Sequence, residues 1–349
     1  IMAFINGKDH FKVKLYTGTG SSNTVAVGFQ PDFTWIKNRS DSESHVLFDA
    51  VNTNGHYSKS DSSAALIDGS SGGSGLWSAF TSNGFTVLNG NRTNNSSDSY
   101  LSWSWKAGTT SGITQGGASI TPSAYSFNAA AGFSIIKYTG TGSNATVPHG
   151  LGKPPKMIFI KSSSHAEQWN IGHSNMDDNP ADSWQYYMNF LSAVRDSNSN
   201  RWQNTLPTND VFSLGTEDQV NGSKTYTAYC WSEIPGYSAF GMYKGQGNAD
   251  GPAVKTGFKP AWVLVRNASA TNNWFIQDIE RIGRNPNNHL SKPNNNGADD
   301  TGNHIDILSN GFKVRSNSAN NNGSGNTMVY AAFAQAPATG SNNIPCTAR

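Results

Sequence analysis

Charged residues and cysteines are both scarce in this chain. Asp, Glu, Lys and Arg make up 14% of its 349 residues, where about 25% is usual in soluble domains. The net charge is only +2 and the cations are scattered along the sequence. A basic stripe for nucleic acid is therefore missing, and we expect no nucleic-acid partner. The two cysteines, Cys230 and Cys346, exclude a framework of several disulfides.

Long apolar runs are absent as well. None approaches the roughly 20 residues of a membrane-spanning helix, and the first residues do not form a secretory signal. The chain contains no His-Glu-x-x-His, no Cys-x-x-Cys and no Asp-x-Asp-x-Asp-Gly loop, which are the spacings of common zinc and calcium sites. We therefore expect no membrane insertion, no metal site, no cofactor, no catalytic residues and no enzymatic activity.

The chain is rich in internal repetition. The motif Tyr-x-Gly-x-Gly occurs three times, at residues 16–20, 138–142 and 243–247. Each copy is followed by a Gly/Pro corner and, six residues past its proline, by a cation that closes an apolar run: Lys37, Lys161 and Arg266. The same landmarks in the same order indicate three homologous units, each the size of a small domain.

The apolar runs predict strands. They are four to six residues long, β-branched or aromatic, and bounded by Gly, Asn, Asp or Pro. Leu101, Trp103 and Trp105 alternate with Ser102 and Ser104, which predicts a strand with one packed face and one solvated face. We therefore predict an all-β chain of three tandem β-sandwich domains of jelly-roll or concanavalin-like type, each with two sheets packed face to face.

Domain boundaries follow from the repeats and from one change in composition. A Gly/Ser/Thr-rich stretch separates the first two units and is typical of a linker. The predicted division is repeat 1 at 1–108, the linker at 109–131, repeat 2 at 132–236, repeat 3 at 237–337 and a C-terminal tail at 338–349.

One polar position recurs in all three units. Asp49 and Asp278 match each other, but the second unit has His173 there. Since a shared acidic role fails in one unit, we predict a hydrogen bond in a turn or between strands. A depolymerase would need two carboxylates at a defined separation, and its candidates are surface acids: Asp177, Asp178, Asp182, Glu217 and Asp218.

The candidate ligand-binding residues are aromatic residues without counterparts in the other units. They are Trp184, Tyr186, Tyr187 and Trp202. Aromatic faces stack on the apolar faces of pyranose rings, so this segment is a candidate sugar platform. The alternative is an extra packed strand, and for Trp202 the position before Pro207 favours packing. The long Asn/Ser-rich loops at 52–75 and 285–303 are further candidates for function.

Several stretches resemble one family of repeats. They are Gly28–Arg39, Phe133–Gly142, His149–Pro155, Tyr226–Gly236 and Gly245–Pro260. They are similar to a repeat family of unknown chemistry that is frequent in structural and tail-fibre proteins of marine tailed bacteriophages. The resemblance covers essentially the whole chain. It implies a virion-associated module of concanavalin-like or jelly-roll domains, and it implies no catalytic residues.

From this resemblance we expect a non-enzymatic virion structural protein of a tailed bacteriophage. It would belong to a fibre or to a tail or capsid appendage that contacts the host surface, with glycan as the ligand. It would assemble in the host cytoplasm and be exposed outside the cell, and its partners would be other virion proteins, further copies of itself and a host cell-surface glycan. The alternative is a purely structural capsid decoration or connector protein, and a polysaccharide depolymerase comes third.

Overall fold

The computed structural model describes residues 5–70, 75–190, 194–282 and 285–335. Its regular structure is almost entirely β, with 26 strands. The helices are short: α1 (Ser199–Trp202), α2 (Asp218–Asn221), α3 (Ala319–Asn322) and the 3₁₀ helices Gly7–Asp9 and Pro180–Gln185. The predicted all-β class is confirmed.

The first unit is a sandwich of two antiparallel sheets. Its strands are β1 (Phe11–Thr17), β2 (Asn23–Ala26), β3 (Phe33–Asn38), β4 (Val46–Asp49), β5 (His56–Lys59), β6 (Ile67–Asp68), β7 (Trp77–Thr81), β8 (Gly84–Val87) and β9 (Ser99–Trp105). The larger sheet has the order β1-β9-β3-β4-β5-β6 and the smaller one β2-β8-β7. Apolar side chains from both sheets form a local core between them.

The second unit has the same kind of arrangement. Its strands are β10 (Ala124–Asn128), β11 (Phe133–Thr139), β12 (Ala145–Pro148), β13 (Met157–Ser162), β14 (Asn170–His173), β15 (Tyr186–Tyr187), β16 (Asp196–Ser197), β17 (Val211–Leu214) and β18 (Thr225–Trp231). The main sheet is β10-β11-β18-β13-β14, and the pair β12-β17 packs on it over a second local core. Strands β15 and β16 form a separate hairpin.

The third unit completes the series with two four-stranded sheets. Its strands are β19 (Ser238–Lys244), β20 (Ala253–Lys255), β21 (Trp262–Asn267), β22 (Phe275–Asp278), β23 (Asn287–Leu290), β24 (Asp300–Leu308), β25 (Gly311–Val314) and β26 (Thr327–Phe333). The sheet β19-β26-β21-β22 is covered by β20-β25-β24-β23. The orders β1-β9-β3-β4, β11-β18-β13-β14 and β19-β26-β21-β22 are equivalent, so the sequence repeat is also a repeat of topology.

The three main sheets share one hydrophobic core. Their inner faces contribute to a single cluster of buried side chains that spans all three units. Ring centroids of Trp105 lie 6.2 Å from those of Trp231 and 5.6 Å from those of Trp262, and Phe33 lies 4.9 Å from Tyr229. The three sandwiches therefore pack on one another around a common aromatic centre, and the predicted domain boundaries and the jelly-roll or concanavalin-like type stay predictions.

The prediction of a solvated face on the strand of Leu101 is wrong. Ser102 and Ser104 are buried, as are the apolar residues Leu101, Trp103 and Trp105 that alternate with them. The serines are buried because the smaller sheet covers the face that they occupy. Their hydroxyls find partners there, with Thr34 Oγ1 lying 3.0 Å from Ser104 Oγ. Main-sheet strands such as β9 are thus buried on both faces, one in the local core and one in the shared core.

Segment 109–131, predicted to be a linker, is an integral part of the fold. It carries β10, which pairs with β11, and it buries Ile113 and Ile120 in the core of the second unit. Asp32 of the first unit accepts hydrogen bonds from Ser126 Oγ and from the backbone N–H of Ala107, both at 2.9 Å. Burial raises the pKa of Asp32. The predicted tail at 338–349 lies outside the described residues.

The Tyr-x-Gly-x-Gly motif has a structural role in all three units. Its tyrosine hydroxyl donates to a backbone carbonyl in the pairs Tyr16–Thr93 (2.7 Å), Tyr138–Val220 (2.7 Å) and Tyr243–Asn321 (2.6 Å). The next residue is a buried asparagine whose Oδ1 accepts from the backbone of the motif: Asn94 from Thr19, Asn221 from Thr141 and Asn322 from Gln246. A Cβ on Gly140 would lie 2.1 Å from the carbonyl oxygen of Gly222, so the close approach requires glycine there.

The recurring polar position connects neighbouring units. The predicted turn hydrogen bond is confirmed in each unit: Val51 N to Asp49 Oδ1 (3.0 Å), Asn175 N to His173 Nδ1 (3.1 Å) and Glu280 N to Asp278 Oδ1 (3.1 Å). The other side-chain atom bonds to the next unit: Tyr229 OH to Asp49 Oδ2 (2.7 Å), His173 Nε2 to Tyr330 O (3.1 Å) and Trp103 Nε1 to Asp278 Oδ2 (3.3 Å). The bonds run from unit 1 to 2, from 2 to 3 and from 3 back to 1, which closes a ring.

The exchange of aspartate for histidine in the second unit has a physical reason. Strand register aligns Trp103 and Tyr229, the two side-chain donors, with Ala331 in the third unit. Because alanine carries no donor, only a backbone carbonyl is available, and a carboxylate cannot donate to it. His173 supplies the needed N–H, and burial lowers its pKa to about 4, which keeps it neutral. A small cavity of about 10 Å³ is lined by His173, Tyr330 and Ala331 among others.

Long loops also pass from each unit to the next. They provide backbone acceptors to buried donors in the pairs Trp169–Lys59 (2.9 Å), Trp274–Asn189 (3.1 Å) and Lys37–Asn296 (3.3 Å). Lys161 Nζ likewise donates to Ser63 O at 3.0 Å, and Arg39 pairs with Asp299 at 2.6 Å. The three recurring cations of the sequence are thus buried side chains. Lys37 and Lys161 bond to loops of a neighbouring unit, whereas the Arg266 guanidinium lies 5.6 Å from the centroid of the Trp274 ring in its own unit.

Removing one of the ring-closing donors should destabilise the whole chain. In Tyr229→Phe, the buried carboxylate of Asp49 loses its partner in the second unit, and the expected loss is about 1–3 kcal/mol in the free energy of unfolding. The measurement is urea unfolding. Tyr187→Phe is the matched control, because that hydroxyl bonds to Asp196 in an exposed position. A loss for Tyr229→Phe no larger than that of the control would contradict the role of this bond.

Lys37 and Lys161 should each favour folding as the pH rises from about 8 to 10, against the opposite effect of buried Cys230 and buried tyrosines, whose pKa values are raised. Burial lowers the pKa of Lys37 and of Lys161 to about 8, whereas both lysines titrate near 10.4 when unfolded. In this window each of these two lysines keeps its proton more fully in the unfolded chain than in the folded one, so raising the pH from 8 to 9.5 favours folding by about 2 kcal/mol per lysine.

The measured quantity is the shift in the urea midpoint of unfolding from pH 7.5 to pH 9.5. Lys37→Met should reduce it, because this variant removes one of the two titrating groups. Lys224→Met is the control, since hydrogen bonds to Asp218 and Glu167 raise the pKa of Lys224. An unchanged pH dependence in Lys37→Met would show that buried Lys37 does not control it.

Candidate functional site

Two of the four predicted ligand-binding residues belong to the core. Trp184 and Trp202 are 2% and 1% exposed, and their rings meet edge to face with centroids 5.4 Å apart. Trp184 packs on Gly172 of β14, where an added Cβ would lie 2.4 Å from its ring. Neither indole has a free face for a sugar, because both side chains fill the local core of the second unit. Their prediction as a stacking platform is therefore wrong.

Tyr186 and Tyr187 lie nearer the surface, each half-buried. The Arg195 guanidinium lies 4.4 Å from the centroid of the Tyr186 ring, and that of Arg201 lies 3.6 Å from the Tyr187 ring. These cation–π contacts occupy one face of each ring. The two tyrosines form the short strand β15, which agrees with the alternative of an extra packed strand, and their part in ligand binding stays a prediction.

The acids considered for a depolymerase are engaged with partners in the structure. Their closest contacts are Asp177–Arg195 (3.2 Å), Asp178–Lys244 (2.6 Å), Asp182–Gln185 (2.6 Å), Glu217–Asn198 (2.9 Å) and Asp218–Lys224 (2.5 Å). A hydrogen bond from Lys244 lowers the pKa of Asp178. A glycosidase acid needs a raised pKa, so Asp178 is unsuited to that role.

The candidate binding site is a polar cleft on the outer sheet of the third unit. It has a volume of about 490 Å³ and is lined by Ala249, Asn285, Pro286, Asp306 and Arg315. Ligand sites in proteins commonly have volumes of about 300–1,000 Å³. The cleft therefore has the size of a small-molecule site, and its lining contains both polar and apolar residues.

Two strands and one loop position the polar groups of the cleft. Asp306 lies on β24, and Arg315 directly follows β25. Asn285 forms a pair of hydrogen bonds with the backbone of Ile307. Asn285 Nδ2 donates to Ile307 O at 2.8 Å, and Ile307 N donates to Asn285 Oδ1 at 2.9 Å. This amide extends the sheet in the manner of a neighbouring strand. It fixes the loop that carries Pro286 against the outer sheet.

Charges in the cleft balance each other through long contacts. Arg315 lies 3.4 Å from Asp306 and 3.6 Å from Asp250, whereas charge-assisted hydrogen bonds between nitrogen and oxygen are about 2.7–2.9 Å long. Asp250 has a closer partner in Lys313, at 2.8 Å, and this contact lowers its pKa. The Arg315 guanidinium, in a side chain 43% exposed, thus retains donors that face solvent.

No sequence motif singles out Asp306 and Arg315, but a comparison of equivalent positions in the three units gives a signal for Arg315. Positions that recur in the three units serve the scaffold, so differences among equivalent positions are where function can be sought. The residue after the equivalent outer strand is Leu88 in the first unit, Gly215 in the second and Arg315 in the third. The cleft also borders the loop at 285–303 that the sequence indicated as a candidate.

Within the described ranges, no group of three or more His, Cys, Asp or Glu side chains is arranged to hold a metal ion. Over the same part of the chain, no helix has the length and hydropathy needed to cross a membrane.

Comparison with known proteins assigns the chain to a family without assigning it a function. A search of curated proteins finds no match. One family model, described as "Domain of unknown function (DUF7483)", matches residues 6–337. This single match extends over all three units and the segments between them. The chain therefore belongs to the DUF7483 family.

Proposed function

We propose that this chain is a non-enzymatic structural protein of a tailed-bacteriophage virion, in a fibre or in a tail or capsid appendage that contacts the host surface. The proposal rests on the ring closure of the three units. Asp49, His173 and Asp278 each bond to the neighbouring unit from buried positions. Breaking such a bond leaves a buried polar group without a partner, so the units resist separation.

A closed ring suits a protein that must persist outside the cell. Local opening exposes backbone to proteases, and it is rare where strands are buried on both faces. Strand β9 and its equivalents β18 and β26 have this double burial. The resemblance of the repeats to phage structural and tail-fibre proteins is the second support. In this proposal the chain assembles in the host cytoplasm with further copies of itself and with other virion proteins.

Host contact is assigned to surfaces that do not recur among the units. The recurring residues are committed to the shared core, to bonds within each unit and to the bonds between units. The cleft around Asp306 and Arg315 lies on the outer sheet, away from that core. A host cell-surface glycan is the partner that a polar cleft of this size would accept.

The virion assignment predicts that antibody against this chain labels phage particles. The measurement is immunogold electron microscopy of particles that carry the coding sequence. Gold at fibres or tail appendages is the expected result. Gold spread over the capsid would favour the alternative of a decoration protein, and intact particles without gold would contradict the proposal, provided that the same antibody detects the purified chain.

A further inference from the structure

We propose that the cleft of the third unit binds one neutral pyranose unit of a saccharide, with Asp306 and Arg315 as its polar contacts. This inference deepens the proposed host contact and rests on it. The two side chains approach each other from neighbouring strands, with Arg315 Nε and Asp306 Oδ2 3.4 Å apart. Neither side chain has an equivalent in the outer sheets of the other units.

The polar groups match the hydroxyls of a sugar. Asp306 is an acceptor with two oxygens, and Arg315 is a rigid donor with five N–H groups. Two adjacent hydroxyls of a pyranose can donate to the carboxylate and accept from the guanidinium at the same time. The long Arg315–Asp306 contact leaves donors of the guanidinium and acceptors of the carboxylate available to such hydroxyls, because the ion pair is not at hydrogen-bonding distance.

The cleft lining also includes an apolar surface. Pro286 and Ala249 line it, and the Asn285 amide is occupied by the backbone of Ile307. Pro286 is therefore held in place by a fixed loop. A pyranose ring has apolar C–H faces and polar edges, so the proline ring can pack on a C–H face while the hydroxyls reach the charged pair.

The charges of the cleft favour a neutral ligand over an anionic one. Two carboxylates, Asp250 and Asp306, are balanced by two cations, Lys313 and Arg315. An anion would have to approach both carboxylates, which costs free energy, and Lys313 is already paired with Asp250 at 2.8 Å. Phosphate and acidic sugars are thus disfavoured, and the small apolar surface argues against a lipid or an apolar peptide.

The site is expected to be weak and to occur once per chain. A shallow cleft with one charged pair corresponds to a dissociation constant of about 1–10 mM for a single sugar. Several copies of the chain in one particle would raise the effective affinity for a polysaccharide through effective concentration.

The test is saturation-transfer NMR on the full chain. The probes are the methyl glycosides of glucose, galactose, mannose and N-acetylglucosamine at about 20 mM, with competition by inorganic phosphate. At least one glycoside should give saturation transfer, and phosphate should not displace it. Asp306→Asn and Arg315→Met should each weaken binding about tenfold or more. Glu43→Gln, which breaks an acid–cation pair on the first unit, should leave binding unchanged.

Three results would overturn this inference. They are the absence of saturation transfer from all four glycosides, binding that persists in both cleft variants, and displacement of the glycoside by phosphate. Should a variant unfold, the ¹⁵Nε resonance of Arg315 in the unmodified chain replaces it, and it must shift on titration with the bound glycoside. Particle labelling is independent of this test, so loss of the sugar site and loss of the virion assignment are distinguishable.

Discussion

Polar bonds buried between the three units are the constraint on which the rest of the structure depends. Each main sheet has one face in its own sandwich and the other in the shared core. Hydrophobic packing in this core, which contains many aromatic rings, is not directional. The side chains of Asp49, His173 and Asp278 fix the orientation of neighbouring units, because each joins a turn of its own unit to one specific atom of the next.

The three connections differ in chemistry and agree in geometry. Two pair a carboxylate with an aromatic donor, and the third pairs an imidazole with a backbone carbonyl. The third unit has Ala331 where the others have Trp103 and Tyr229, so the donor moves to the opposite side of the bond. The three units thus use equivalent positions for these connections, although the residue types at those positions differ. The residues that recur form the contacts between the units. The cleft with Arg315 lies on a surface that does not take part in these contacts.

The strands, the turns and the threefold repeat could be predicted from the sequence because they depend on local patterns. The alternation around Ser102 even identified the correct strand. What it could not show is that a second sheet covers the serine face, since burial of a small hydroxyl depends on partners far along the chain. The sequence-based prediction for Trp184 fails for a related reason: without a counterpart in the other units, this tryptophan resembles a surface residue. Only the packing against Gly172 shows that it fills the core.

The ring itself was beyond the sequence, because its contacts join residues more than 100 positions apart and three separate sandwiches would give the same local patterns. Its most direct test is hydrogen exchange of the native protein at increasing urea concentrations. The central strands β9, β18 and β26 should open together, with the same free energy and the same dependence on urea. Opening of one of these strands at a free energy well below that of the other two would contradict the shared core and show three independent domains.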